Sequence, residues 1–344
     1  MIESQEFIIA FSVAAMLSGL GTPIVRKLAI RYGVFDHPTE SHKTHKHLVP
    51  YLGGIAIISS VLFTTLIGLS YLGSDFATWV LPLSVLAPAL SLGLIGLIDD
   101  MKKLSPLSRF LAQTFSGVFT AVILISSNTV GSPTGVTALD FVITVFWIVG
   151  ITNSINFFDN HDGGASGTVA ISSIGLFVLA RMSNQDFIAA LAIVLSGACV
   201  GFLFWNRSPA RIYMGDAGAL FLGTMLASLL VRYEPNPINR VASFSIPVFL
   251  LAIPILDTCV AVFSRIRRGK SIFEGGKDHL SHRLLRLKYN RKTTAISLWT
   301  LSVLFVLISI LISNLPYALE GFAVAIGSIT WLILLVFFMS QRDE

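Results

Sequence analysis

Apolar residues fall into long runs separated by short polar breaks, and eleven of these runs are long enough to cross a bilayer. A hydrocarbon core of about 30 Å needs about 20 helical residues, with latitude for tilt. The runs cover 5–25, 52–71, 79–98, 108–127, 138–155, 166–181, 187–205, 217–231, 242–264, 295–313 and 318–339. No repeat, low-complexity tract or separate soluble domain interrupts them. The pattern predicts an all-α, polytopic transmembrane helix bundle, a single multi-pass domain over 1–344. Its polar breaks at 26–51, 99–108, 153–166, 206–216 and 265–294 are the expected active-site loops.

Composition agrees with the pattern. Of 344 residues, 54% are hydrophobic and only 12% charged, a balance that excludes an ordinary water-soluble fold. The first run is a retained helix rather than a cleaved leader, because Glu3 and Glu6 precede it and no basic residue occurs before Arg26. Cys199 and Cys259 both lie inside apolar runs, where a free thiol acts as a small packing group.

The net charge of +5 would suggest nucleic acid in a soluble protein, but here it reports topology. With the N-terminus outside and the C-terminus cytoplasmic, 21 of the 24 Lys and Arg fall on the cytoplasmic side. Only Arg181, Arg232 and Arg240 fall outside. All seven histidines (His37, His42, His45, His47, His161, His279, His282) and the acids Asp99, Asp100, Asp159, Asp162 and Asp216 share the cytoplasmic face. No nucleic-acid partner is expected; the partner is the membrane.

Four segments on that face carry chemistry. The third run ends Asp99-Asp100-Met101-Lys102-Lys103; two acids at an already negative helix C-terminus ask for a cation. The fifth ends Asn153-Ser154-Ile155-Asn156-Phe157-Phe158-Asp159-Asn160-His161-Asp162-Gly163-Gly164. Asn153 and Asn156 share a helix face, and the acids follow on a backbone loosened by glycine. Asp216, in Gly215-Asp216-Ala217-Gly218, opens the eighth run, where it serves either as a helix cap or as a metal ligand. Helical phasing over 279–287 puts His279, His282, Arg283 and Arg286 on one side and Leu280, Leu284 and Leu287 on another. That reads as an interfacial helix with a cationic, phosphate-binding face. Asp257 is the lone acid within an apolar run, and its role stays open.

Taken in order, Asp36-x-Pro38 with Pro50-Tyr51-Leu52-Gly53-Gly54, Asp99-Asp100, Asn153-x-x-Asn156-x-x-Asp159-x-x-Asp162-Gly163, Gly215-Asp216-Ala217-Gly218 and Asp278-His279-Leu280-x-His282-Arg283-Leu284 form a constellation. In these motifs the chain resembles the polyprenyl-phosphate N-acetylhexosaminyl-1-phosphate transferases, glycosyltransferase family 4, and in the last motif their phospho-GlcNAc branch. The resemblance implies transfer of a sugar-1-phosphate from a UDP-sugar to undecaprenyl or another polyprenyl phosphate, releasing UMP, early in cell-envelope polymer synthesis. It implies Mg²⁺, with Mn²⁺ as a substitute, held by Asn156 and Asp216. It further implies catalytic Asp99, Asp100, Asp159 and Asp162, and substrate contacts from Lys103, Arg109, Asn153, His279, His282 and Arg283. A homodimer is left open. The chain departs from many members at Asn160, where they carry Gly, and at Ser41-His42-Lys43-Thr44-His45, where they carry Arg-Lys-x-His.

A transporter or flippase is the rival from another class, and it expects polar groups spread through the membrane depth. An intramembrane prenyltransferase expects acids at a longer repeated spacing than Asp99-Asp100 provides.

Overall fold

A computed structural model describes residues 3–36, 48–72, 76–236, 239–272 and 276–341. His37, Pro38, the stretch 41–45, Lys46, His47 and Arg342, all used above, lie outside the described residues. Helices in chain order are α1 (Ser4–Arg31), α2 (Gly53–Leu72), α3 (Phe76–Lys102), α4 (Pro106–Ser126), α5 (Thr137–Phe158), α6 (Gly164–Met182) and α7 (Asp186–Asn206). They continue with α8 (Gly215–Arg232), α9 (Arg240–Leu250), α10 (Ala252–Arg267), α11 (Leu280–Arg286), α12 (Arg291–Asn314) and α13 (Tyr317–Ser340). Among the described residues the one addition to an all-α architecture is a two-residue antiparallel pair, β1 (Phe35–Asp36) with β2 (Val49–Pro50), in the α1–α2 connection.

Among the described residues ten helices are long and apolar enough to cross a membrane, in agreement with ten of the eleven runs. The remaining run, 242–264, is broken: α9 and α10 meet at Leu251 with a bend of 77°. Pro254 sits in the first turn of α10, where its missing N–H costs no helix hydrogen bond.

The most buried helix is α8, packed against α2, α3, α5, α6 and α7, whereas α1, α4 and α13 turn broad apolar faces outward. The polar breaks collect at two opposite ends. At one end, Gly53 N–H donates to Tyr213 O (2.9 Å), Tyr213 N–H donates to Pro50 O (2.9 Å), and Arg109 meets Asp216. At the other, Arg232 binds Thr129 and Ser84, Arg240 donates to Thr134 O, and Gln185 and Glu234 exchange hydrogen bonds. Arg232 and Arg240, both expected outside, therefore share one end with Glu234, and Asp99, Asp100 and Asp216 share the opposite one.

Candidate active site

Because α8 is central, its N-terminus is wedged between the ends of α3 and α5. A Cβ on Gly96 would stand 2.4 Å from the Asp216 carbonyl oxygen, so glycine is what lets α3 approach this closely. Gly215 has a φ of +73°, and the Asp100 carboxylate fills the place a side chain there would take. Asp100 accepts the backbone N–H groups of Asp216 (2.8 Å) and Ala217 (3.1 Å). It thus caps α8 from another helix, meeting unpaired donors and the positive end of the dipole. Asp216, for which a cap and a ligand were both open, is freed from capping its own helix.

Asp99 accepts hydrogen bonds from Leu104 N–H (2.5 Å) and Arg109 Nη1 (2.9 Å), and it is only 6% exposed. The same Arg109 nitrogen reaches Asp216 Oδ2 at 3.2 Å, and Asn156 Nδ2 donates to Asp216 Oδ1 at 2.7 Å. Three carboxylates from two helices thus converge with one bridging guanidinium, leaving excess negative charge. Their donors are all oxygen, the set a hard divalent cation takes. Among the described residues no three His, Cys, Asp or Glu side chains close around one point. Asn156 now offers N–H to Asp216; with its amide turned it would offer oxygen.

Beside the trio lies a cleft of about 250 Å³. Arg109, Asn153, Asn156 and Asp216 are among its lining residues, as are the apolar Phe110 and Val262. Asn153 is steadied by donating to Gln113 Oε1 (2.6 Å) and Val149 O (2.8 Å). Lys103 follows the α3 end with φ +50° and an exposed side chain.

Asp159 caps the end of α5, its backbone N–H donating to Ile155 O (3.1 Å) and Asn156 O (3.3 Å), while its carboxylate takes no hydrogen bond among the described residues. Burial, then the charges of Asp100 and Asp162, push its carboxyl up from 3.8 to about 7. Asp162 is placed differently: it accepts from Ala210 N–H (3.2 Å) and the Tyr213 hydroxyl (3.4 Å) and pairs with Arg291 at 3.4 Å. It therefore ties the α7–α8 loop to α12 and is not brought onto the acid trio. His161 donates from Nε2 to Arg291 O (2.8 Å), and burial lowers its pKa.

The segment 278–286 corrects the amphipathic reading. Helix α11 has only seven residues, His279 is its N-cap position, and Leu280 through Leu284 are all buried. It is a plug in the bundle, not a helix lying on the interface. Arg283 is fully buried; it donates to the carbonyls of Asp278 (3.0 Å), Phe338 (2.7 Å) and Gln341 (2.8 Å) and to Ser264 Oγ (2.5 Å). Its expected place on a diphosphate is taken by a brace to the end of α13.

Burial, then the neighbouring charges of His279 and Arg286, lower His282 to about 3, so it stands neutral at pH 7 rather than as an imidazolium. His279 binds Asp257 at 2.7 Å and lies edge-on to Phe157, which brings it toward the α5 end. Asp278 is clamped by Arg265 (2.9 Å) and Arg268 (2.8 Å). Burial alone would raise its pKa, and the hydrogen bonds and charge of Arg265 reverse that to a net lowering.

Asp257, Gln113, Arg265 and Ser281, which sequence reading did not assign, join the region; Ser281 donates to Asn160 Oδ1, linking α11 to the α5–α6 loop. Asn160 is one of the positions where the chain departs from the family pattern, which is the signal that points to this link.

The sequence profile of glycosyl transferase family 4 matches residues 82–234, the stretch that carries the acid trio and both asparagines. A probable undecaprenyl-phosphate N-acetylglucosaminyl 1-phosphate transferase of Bacillus subtilis is 31% identical over 332 residues, covering 93% of this chain and 89% of the relative. The chain belongs to glycosyl transferase family 4. A decaprenyl-phosphate N-acetylglucosaminephosphotransferase of Mycobacterium tuberculosis is likewise 31% identical over 337 residues, covering 88% and 81%. A phospho-N-acetylmuramoyl-pentapeptide-transferase of Bacillus pumilus is 27% identical over 322 residues, covering 89% and 96%. A member of this family with ten long apolar helices is a multi-pass membrane protein.

Proposed function

We propose that this enzyme transfers N-acetylhexosamine-1-phosphate, with GlcNAc-1-phosphate as the first choice, from a UDP-sugar to undecaprenyl or a similar polyprenyl phosphate. UMP is released, and the product begins a cell-envelope polysaccharide. The observation that carries the reading is the convergence of Asp99, Asp100 and Asp216, with Arg109 bridging Asp99 and Asp216, beside a cleft lined by both polar and apolar side chains. A lipid phosphate needs such a boundary: charge-handling groups at the membrane surface and an apolar path for the chain. The printed activities of the relatives support the same chemistry.

In the reaction an oxygen of the lipid phosphate bonds to the sugar-bearing phosphorus, and the bond from that phosphorus to the bridging oxygen breaks, UMP taking the electron pair. The lipid phosphate, if it behaves like other phosphate monoesters with a second pKa near ~6, is already mostly dianionic at pH 7 and needs positioning more than deprotonation. Asp99, with both oxygens engaged, positions Arg109; Arg109 meets the incoming phosphate. Asn153 and Asn156 orient the donor from the α5 wall, and His279 stands at the same end. Asp216 and Asn156 would hold Mg²⁺, which supplies charge stabilisation to the diphosphate.

The 21-to-3 distribution of basic residues supports a plasma-membrane protein whose site faces the cytoplasm. Purified protein given undecaprenyl phosphate, Mg²⁺ and a panel of UDP-sugars should release UMP only when both substrates are present. If no UDP-N-acetylhexosamine yields lipid-dependent UMP, the transporter reading replaces this one.

A further inference from the structure

Away from the catalytic cleft, the last turn of α7 forms a crest between two grooves. The groove against α1 has a volume of about 650 Å³ and is lined by Ala15, Met16, Gly19 and Leu20. The groove against α12 has a volume of about 470 Å³ and is lined by Ala295, Ile296 and Trp299, with Lys292 at its mouth. Phe204, Arg207 and Arg211 line both. Neither groove shares a residue with the cleft at Asp216, so the occupant is not the lipid that must reach the acids.

The crest is built and charged. Trp205 donates to Gly19 O at 2.9 Å and pins α7 to α1, while Phe204 stands 63% exposed between the grooves. The Arg207 guanidinium lies 5.7 Å from the Phe204 ring centre, and that of Arg211 lies 5.6 Å from the Trp205 ring, so both heads are held on the crest. Arg26 donates to Arg211 O at 3.0 Å, which brings a further cation to the loop. Among the described residues no carboxylate pairs with Arg207, Arg211 or Lys292, and no acidic residue lines either groove. The nearby Asp162 is engaged with Arg291 and Ala210 N–H.

We propose that this crest binds one anionic diacyl phospholipid, its phosphate on Arg207 and Arg211 and one chain in each groove. Two grooves that each carry apolar side chains and share the Arg207–Arg211 crest match a two-chain lipid with a negative headgroup, and a zwitterionic headgroup would set its ammonium against the same arginines. Groove volumes of this size are those of ligand sites rather than of ordinary surface roughness.

The test places wild-type protein in nanodiscs of equal phosphatidylcholine and phosphatidylglycerol, transfers it to detergent, and counts retained lipid by native mass spectrometry. Wild type should retain one phosphatidylglycerol in preference to phosphatidylcholine, a comparison that needs no variant. The double variant Arg207→Gln/Arg211→Gln should lose about tenfold or more in that retention, by the usual worth of basic residues at an anionic surface. Lys27→Gln/Arg31→Gln removes two exposed charges from the same end outside the grooves and should retain lipid as wild type does. Equal retention of the two lipids, equal loss in both double variants, or displacement of phosphatidylglycerol by equimolar undecaprenyl phosphate would each overturn the site.

Discussion

His279 donates its Nδ1 proton to Asp257 Oδ2 across 2.7 Å. The tautomer follows from the other side of the ring, where Nε2 faces Arg265 Nη2 at 3.3 Å and a guanidinium only donates. Asp257 Oδ1 also accepts Leu280 N–H at 2.7 Å, so one buried carboxylate both starts α11 and orients the imidazole. Asp257→Asn leaves one acceptor oxygen for two donors, and an unmet buried donor costs about 1–3 kcal/mol. The expected result is a fall in the kcat of UMP release of about tenfold or more with the protein still folded. An unchanged kcat would leave Asp257 as a helix cap and nothing else.

Arg283→Ala should act on stability rather than on substrate. Three carbonyls and Ser264 lose their buried donor, a loss of about several kcal/mol at the ordinary cost of unmet buried groups. Thermal unfolding in detergent should drop sharply, while the KM for UDP-sugar in the remaining folded protein stays put. A raised KM with an unaltered melting temperature would return Arg283 to the diphosphate.

Asp159 gives a pH signature whose sign is set. Its carboxyl titrates at about 7 in the folded protein against 3.8 as an ordinary aspartate, so between those values the folded state holds a proton the unfolded chain has lost. Stability from this group is present below about 4 and is lost as pH rises through about 7. Asp159→Asn should therefore raise the melting temperature more at pH 8 than at pH 5. An equal gain at both pH values would contradict the shift.

The metal assignment separates two neighbouring acids. Asp216→Asn and Asn156→Ala should each weaken Mg²⁺ binding in calorimetry and reduce turnover by about a hundredfold or more, by analogy with the loss of a single charge-stabilising donor. Asp100→Ala should instead lower the melting temperature, because it removes both acceptors that cap α8. Undiminished Mg²⁺ affinity in both Asp216→Asn and Asn156→Ala would remove that pair from the metal site.

Topology is decided by the bent pair. If α9 and α10 form one crossing, eleven crossings put the two termini on opposite sides; if they turn back, ten put them on the same side. Glu3→Cys should be reached by an impermeant maleimide from outside and Asp343→Cys only from inside. Labelling of both from one side would make the pair re-entrant.

Ten of the apolar runs and the gathering of acids at one end were legible because hydropathy and charge sidedness are properties of the chain itself. The Asp99–Asp100 pair was legible as a site, but not its division of labour: Asp100 reaches across to cap α8 while Asp99 holds Arg109. Asp257 was misplaced because 242–264 reads as one continuous run, which sets it deep; the bend at Leu251 carries it to His279. Pro254 was the available signal, since it suits a helix start better than a helix middle. Arg283 was misassigned because helical phasing presumes one wet face, and α11 has protein around nearly all of it. Only the final carbonyls of α13, 55 and 58 residues further on, explain where its charge goes.

That brace has a consequence for the order in which the enzyme comes into being. Synthesis runs from the N-terminus, and the carbonyls of Phe338 and Gln341 follow Arg283 by 55 and 58 residues. Until they arrive, Arg283 has an unfilled fork, and the plug that carries His279 lacks its lock. The acid trio is complete once α8 is in place, roughly two-thirds of the way along the chain. A nascent chain that stops short of the end of α13 thus has its acids assembled and its α11 plug unlatched, so the end of α13 works as the clasp of that plug.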